Sequence, residues 1–168
     1  MSTVGIGFTR SAPASAKAAV WVLSGVNLGR LGLREPDVYG NATYDDLEND
    51  VRALAADLGV TVDVRQTDDE TEMIHWLHDA ADAGVAVVLN PGAWSHYSYA
   101  VRDACAALAG PLIEVHLSQT AKREEFRHTS VISAVADGTI TGLGFESYRL
   151  GLRAAARLLA DTSRAPSP

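Results

Sequence analysis

The chain has 168 residues, 47% of them hydrophobic and 21% charged, and a formal net charge of −7. Those values fit one soluble globular domain with a core of its own, and the negative balance argues against general nucleic-acid or membrane-surface binding. A lone cysteine, Cys105, excludes an intramolecular disulfide framework and a cysteine-based zinc motif, and no apolar run approaches a membrane span.

Taken in order, residues 1–17 are rich in Ser, Ala and Gly, lack periodicity, and read as a tail. Residues 162–168 read as another, which leaves residues 18–161 as a single domain. The start shows no basic, apolar leader, so a cytoplasmic location is the expectation. Residues 18–23 (AAVWVL) suit a strand buried on both faces. Residues 24–40, SGVNLGRLGLREPDVYG, contain four glycines and a proline and read as a long loop carrying Arg30, Arg34 and Tyr39. Thr43 and Asp46 then have capping-box spacing, and Tyr44, Leu47, Val51, Leu54, Ala55 and Leu58 recur at helical intervals until Gly59. Residues 60–65 alternate as a strand. Residues 68–83 form an amphipathic helix with Met73, Ile74, Leu77, Ala80 and Ala81 inward, stopped at Gly84. A central strand follows at 85–89, a helix at 98–109 ended by Gly110-Pro111, and a strand at 112–117. A fifth strand at 138–143 and a closing helix at 148–159 complete the pattern.

Strands alternating with helices of this length imply βαβ units and a parallel sheet covered on both faces. Five such units predict an α/β, flavodoxin-like three-layer sandwich with strand order 2-1-3-4-5. Ligands in such sheets bind beyond the carboxyl ends of the strands, where the winding reverses between strands 1 and 3. Those ends carry residues 24–40, 90–96 (NPGAWSH) and 116–127 (HLSQTAKREEFR).

Each group has a plain and a chemical reading. An unperturbed tyrosine titrates near pH ~10, so about one in 10³ is phenolate at neutral pH. A guanidinium from the same loop favours the phenolate and would make Tyr39 a usable base; the plain alternative is a tyrosine packed on a turn beside solvated arginines. Asn90-Pro91-Gly92 is a strong turn former, yet Asn90 ends a buried strand, where its amide must find partners or meet a ligand. Glu114 and His116 lie two apart on a strand and share a face. A carboxylate aimed into a core is costly unless paired, which favours a functional pair in which Glu114 holds the imidazole. Arg123 and Arg127 also read as ordinary surface charges, His75 and His78 as solvated helix residues, and Cys105 as core.

Together SGVNLGRLGLREPDVYG, the QTD after strand 2, NPGAWSHYSYAVRDA and IEVHLSQTAKREEFRHTS, in that order, resemble type II 3-dehydroquinate dehydratases (type II dehydroquinases) over about residues 20–159. The resemblance implies removal of water from 3-dehydroquinate to give 3-dehydroshikimate, without metal or organic cofactor. It implies Tyr39 as base, with Arg34 and Arg123 lowering its pKa, Asn27 stabilising an enolate, and His116 as acid oriented by Glu114. Backbone amides at Leu117 and Ser118, with the Ser118 hydroxyl, would hold the substrate carboxylate, and Asn90, His96 and Arg127 the ring hydroxyls. Asp103, placed near the start of its helix, matches a residue that reaches a neighbouring subunit's site, which implies a homo-oligomer: a trimer-based dodecamer. The chain departs from the usual pattern at Ser24, Val26, Asp68, Trp94, Tyr97, Tyr99, Gln119 and Ala121, changes expected to line the rim and to bear on substrate preference and turnover. A divergent or inactive paralogue, serving quinate breakdown or a related cyclic hydroxy-ketone, is the alternative. A non-catalytic flavodoxin-like module fits less well: Ser24-Gly25 and Asn90 stand where a receiver domain needs acidic residues, and the first loop is long and Arg-bearing where a flavodoxin needs a phosphate loop.

Overall fold

The computed structural model describes residues 19–33 and 41–162. Five strands, β1 (Ala19–Ser24), β2 (Thr61–Gln66), β3 (Ala86–Asn90), β4 (Leu112–His116) and β5 (Gly138–Thr141), form one sheet in the order β2-β1-β3-β4-β5. All neighbouring pairs are parallel, so the expected order holds.

Side chains alternate across a strand, and the alternation sorts the core into two layers. Val20, Val22, Ala86, Val88, Ile113 and Val115 pack against helices α1 (Tyr44–Leu58) and α4 (Phe145–Thr162). Leu23, Val87, Leu89 and Leu112 pack against α2 (Glu70–Ala83) and α3 (Tyr99–Ala106) on the other face. Glu114 and His116 continue the row begun by Leu112, so both point toward the α2/α3 layer. No helix among the described residues is long and apolar enough to cross a membrane.

Local chemistry sets the helix ends. The Thr43 hydroxyl accepts the Asp46 N–H while the Asp46 carboxylate accepts the Thr43 N–H, the reciprocal capping box read from the sequence. Gly59 and Gly84 close α1 and α2 in the left-handed conformation. Helix α3 is shorter than the predicted 98–109. Its last turn tightens through Ala107 N–H to Ala104 O and Leu108 N–H to Cys105 O, both 3.2 Å, ahead of Gly110-Pro111. The helix starts at Tyr99, so Asp103 lies beyond its first turn, and the expected place near the helix start does not hold. Helix α4 begins three residues earlier than predicted, directly after Gly142 and Gly144, both at positive φ.

Gly151 brings α4 close to the sheet. A Cβ there would lie 2.7 Å from Val115 Cγ1 and 3.1 Å from Val88 Cγ1. Gly151→Val is expected to destabilise the fold by about 1–3 kcal/mol through overpacking, read as a lower urea midpoint; an unchanged midpoint would contradict this close approach.

Candidate active site

The site is built where β1 and β3 end side by side. Ser24 pairs with Asn90 in register, and the Gly25 N–H donates to Asn90 O at 2.8 Å. A Cβ on Gly25 would lie 2.7 Å from Pro91 O, so only glycine lets the two turns come this close. The chain then enters a short 3₁₀ turn, Leu28–Arg30, so this stretch is not wholly irregular, and Leu28 and Leu31 are buried. Asn27 adopts φ 69°, the one non-glycine residue at positive φ among the described residues. Its N–H donates to Asp68 Oδ1 at 2.7 Å, and Gln66 Nε2 donates to Gly25 O at 3.3 Å and to Asp68 Oδ1 at 3.1 Å. The QTD stretch after β2 thus braces the turn that presents Asn27. Asn90 Oδ1 accepts the Gly92 N–H at 3.1 Å, and its side chain is a further partner of the buried Tyr148 hydroxyl, itself 2.9 Å from Ser24 Oγ. Burial drives the Tyr148 pKa well above the ordinary phenol range, so this hydroxyl is a neutral support for Asn90.

On β4, His116 Nε2 lies 2.7 Å from Glu114 Oε1. Glu114 is fully buried. Its carboxylate also accepts Ser130 Oγ at 2.6 Å and Ser133 Oγ, from a segment crossing over β4. Burial raises the Glu114 pKa, but hydrogen bonds from His116, Ser130 and Ser133 outweigh it and leave the carboxyl below its usual value. His96 Nδ1 donates to Thr129 O at 3.0 Å, and its ring meets Phe126 edge-on at 5.7 Å. Desolvation is the largest influence on the His96 imidazole and lowers its pKa, which favours the neutral ring.

One cleft collects most of the residues singled out in the sequence. Asn27, Asn90, His96, His116, Leu117, Ser118 and Arg127 line it, and Glu114 stands behind His116. Arg30 also lines it and adds a positive group to a chain that is negative overall. Arg127 is held by Glu124 Oε2 at 2.8 Å. Two expected members do not line the cleft as the described residues form it. Arg123 lies 3.4 Å from Glu124 Oε2, and Asp103 is exposed on α3 with Arg102 Nη1 at 2.8 Å. Arg34 and Tyr39 lie outside the described residues.

A family model described as dehydroquinase class II matches residues 18–156. The chain belongs to the class II dehydroquinase family. It is 62% identical over 133 residues to the 3-dehydroquinate dehydratase of Salinispora tropica, covering 79% of this chain and 93% of that one. It is 55% identical over 134 residues to the enzyme of the same name from Kineococcus radiotolerans, covering 80% and 92%. The crystal structure of type II dehydroquinase from Propionibacterium acnes superposes with a TM-score of 0.82 at 51% identity, covering 86% and 99%.

Against that family background the departures acquire places. Ser24 and Trp94 were expected at the rim but are buried, Ser24 on Tyr148 and Trp94 in the α2/α3 layer. Tyr97 and Tyr99 are exposed, and Gln119 Oε1 accepts Thr141 Oγ1 at 2.9 Å. Sequence reasoning missed Arg30 as a cleft residue, Asp68 as the holder of Asn27, and both serines on Glu114. The available signal for the serines was Glu114 itself, because a buried carboxylate needs more donors than one imidazole supplies.

Proposed function

We propose that this chain eliminates water from 3-dehydroquinate, giving 3-dehydroshikimate by anti elimination through an enolate. The observation that carries this reading is the buried Glu114–His116 pair opening on a cleft lined by Asn27, Asn90, His96, Ser118 and Arg127, in a chain of the class II dehydroquinase family. Tyr39, its pKa lowered by Arg34 and Arg123, takes the proton beside the ketone, and the electron pair moves onto the ketone oxygen. Asn27 stabilises that oxyanion, through an ordered water in this reading. The enolate then collapses, the carbon–oxygen bond to the leaving hydroxyl breaks, and His116 supplies the proton that makes it water. Glu114 engages Nε2, so the proton delivered is the one on Nδ1. The amides of Leu117 and Ser118 and the Ser118 hydroxyl hold the substrate carboxylate, while Asn90, His96 and Arg127 hold the ring hydroxyls. Incubating the purified chain with 3-dehydroquinate should give an enzyme-dependent rise in ultraviolet absorbance from the conjugated enone. No rise from protein that binds 3-dehydroquinate would reject the reading.

The same reading places the chain in the cytoplasm, in a trimer-based dodecamer with Asp103 completing a neighbour's cleft. Its support is the exposure of Asp103 on α3, on a surface that also carries exposed Tyr99 one turn earlier. Asp103→Ala is expected to weaken substrate binding while each subunit still folds. Mixing it with a Tyr39→Phe variant under subunit exchange should restore part of the activity, because some sites then receive both intact residues. A fully active monomer in sedimentation would defeat the shared site.

A further inference from the structure

An ionised carboxylate with no solvent exposure stays ionised only if its neighbours donate to it, since transfer of the bare charge from water costs several kcal/mol. Glu114 meets this condition through a particular arrangement of hydroxyls. Ser130 Oγ accepts the N–H groups of Ile132 at 3.1 Å and Ser133 at 3.2 Å, which directs its own hydrogen at Glu114 Oε1. Ser133 Oγ accepts Thr139 Oγ1 at 3.2 Å from β5, which likewise commits its hydrogen to Glu114 Oε2. Both hydroxyls therefore act as donors toward Glu114. Hydrogen bonds donated to a charged carboxylate are stronger than those donated to the neutral acid, so the two serines favour the ionised form of Glu114.

Glu114 and His116 share a proton across 2.7 Å, and it can sit on the imidazole or on the carboxyl. The other titratable or charged groups facing the pair are Cys105 from α3, whose buried thiol is pushed up to about 12 and so is neutral, and His96, Arg127 and His128, which line the cavity that the pair and both serines share. Arg127 is paired with Glu124, and the groups that donate directly to the carboxylate are His116, Ser130 and Ser133. We propose that Ser130 and Ser133 are positioning residues that keep the shared proton on His116 Nε2, so that the buried carboxylate stays charged behind the ring that acts as the acid. The catalytic part of this rests on the reading of His116 as the proton donor; the location of the proton does not.

The test measures both. Nitrogen-15 NMR of labelled histidine should show a proton on His116 Nε2 in the wild type. In the Ser130→Ala/Ser133→Ala variant the proton should move toward Glu114, giving an unprotonated Nε2 and an infrared band of a protonated carboxyl that disappears on adding Glu114→Gln. Loss of a hydrogen bond to a charged group predicts a drop in kcat of roughly 10–100-fold per serine, with KM little changed and with activity kept in Ser133→Thr. The single Ala variants are read in the same way if the double variant does not fold. An unchanged Nε2–H signal in folded Ala variants would overturn the proposal, as would a loss confined to KM. A wild type inactive on 3-dehydroquinate would sink the functional reading alone, because the nitrogen-15 and infrared signals still decide where the proton sits.

Discussion

Tyr39→Phe is expected to lower turnover by roughly 10²–10⁴-fold, the usual contribution of a general base, while 3-dehydroquinate still binds. The substitution removes one oxygen and little volume, so it deletes the proton acceptor and leaves the loop's other groups in place. The size of the effect follows from acidity. Near pH 7 an ordinary phenol is ionised in only about one molecule in 10³, and in the proposed mechanism the Arg34 and Arg123 guanidinium groups raise that fraction. Steady-state kinetics together with calorimetric titration of 3-dehydroquinate would separate turnover from binding. Activity within about tenfold of wild type would reject Tyr39 as the base.

His116→Ala should have an effect of similar size, roughly 10²–10⁴-fold on dehydration. The fold should survive it, because Glu114 keeps the Ser130 and Ser133 hydroxyls as donors when the imidazole is gone. Circular dichroism identical to wild type, with dehydration lost, is the expected outcome. A folded His116→Ala variant that dehydrates its substrate at near the wild-type rate would remove His116 from the mechanism.

How much of this was legible in the chain depended on whether the cause was local. The α1 capping box is four residues long and was read directly from Thr43 and Asp46. The strand order followed from the alternation of apolar strands with amphipathic helices. The Glu114–His116 pair was visible because period two puts both on one face. Interactions across the sequence were not visible. Ser130 and Ser133 reach Glu114 from 16 and 19 residues away, in a stretch that reads as ordinary polar loop. Asp68 holds Asn27 across 41 residues, and nothing near either residue announces it. The far end of α3 was misplaced for a different reason. Helical periodicity in an Ala-rich stretch does not reveal where a last turn tightens, and the helix proved shorter than its pattern.

The division of labour between Tyr39 and His116 is tested most directly by exchange of the substrate proton beside the ketone, followed by proton NMR in D₂O with wild type, Tyr39→Phe and His116→Ala. Enolate formation ahead of hydroxide loss predicts that His116→Ala still exchanges this proton while dehydrating little, and that Tyr39→Phe does neither. Exchange persisting in Tyr39→Phe, or absent from folded, substrate-binding His116→Ala, would contradict it.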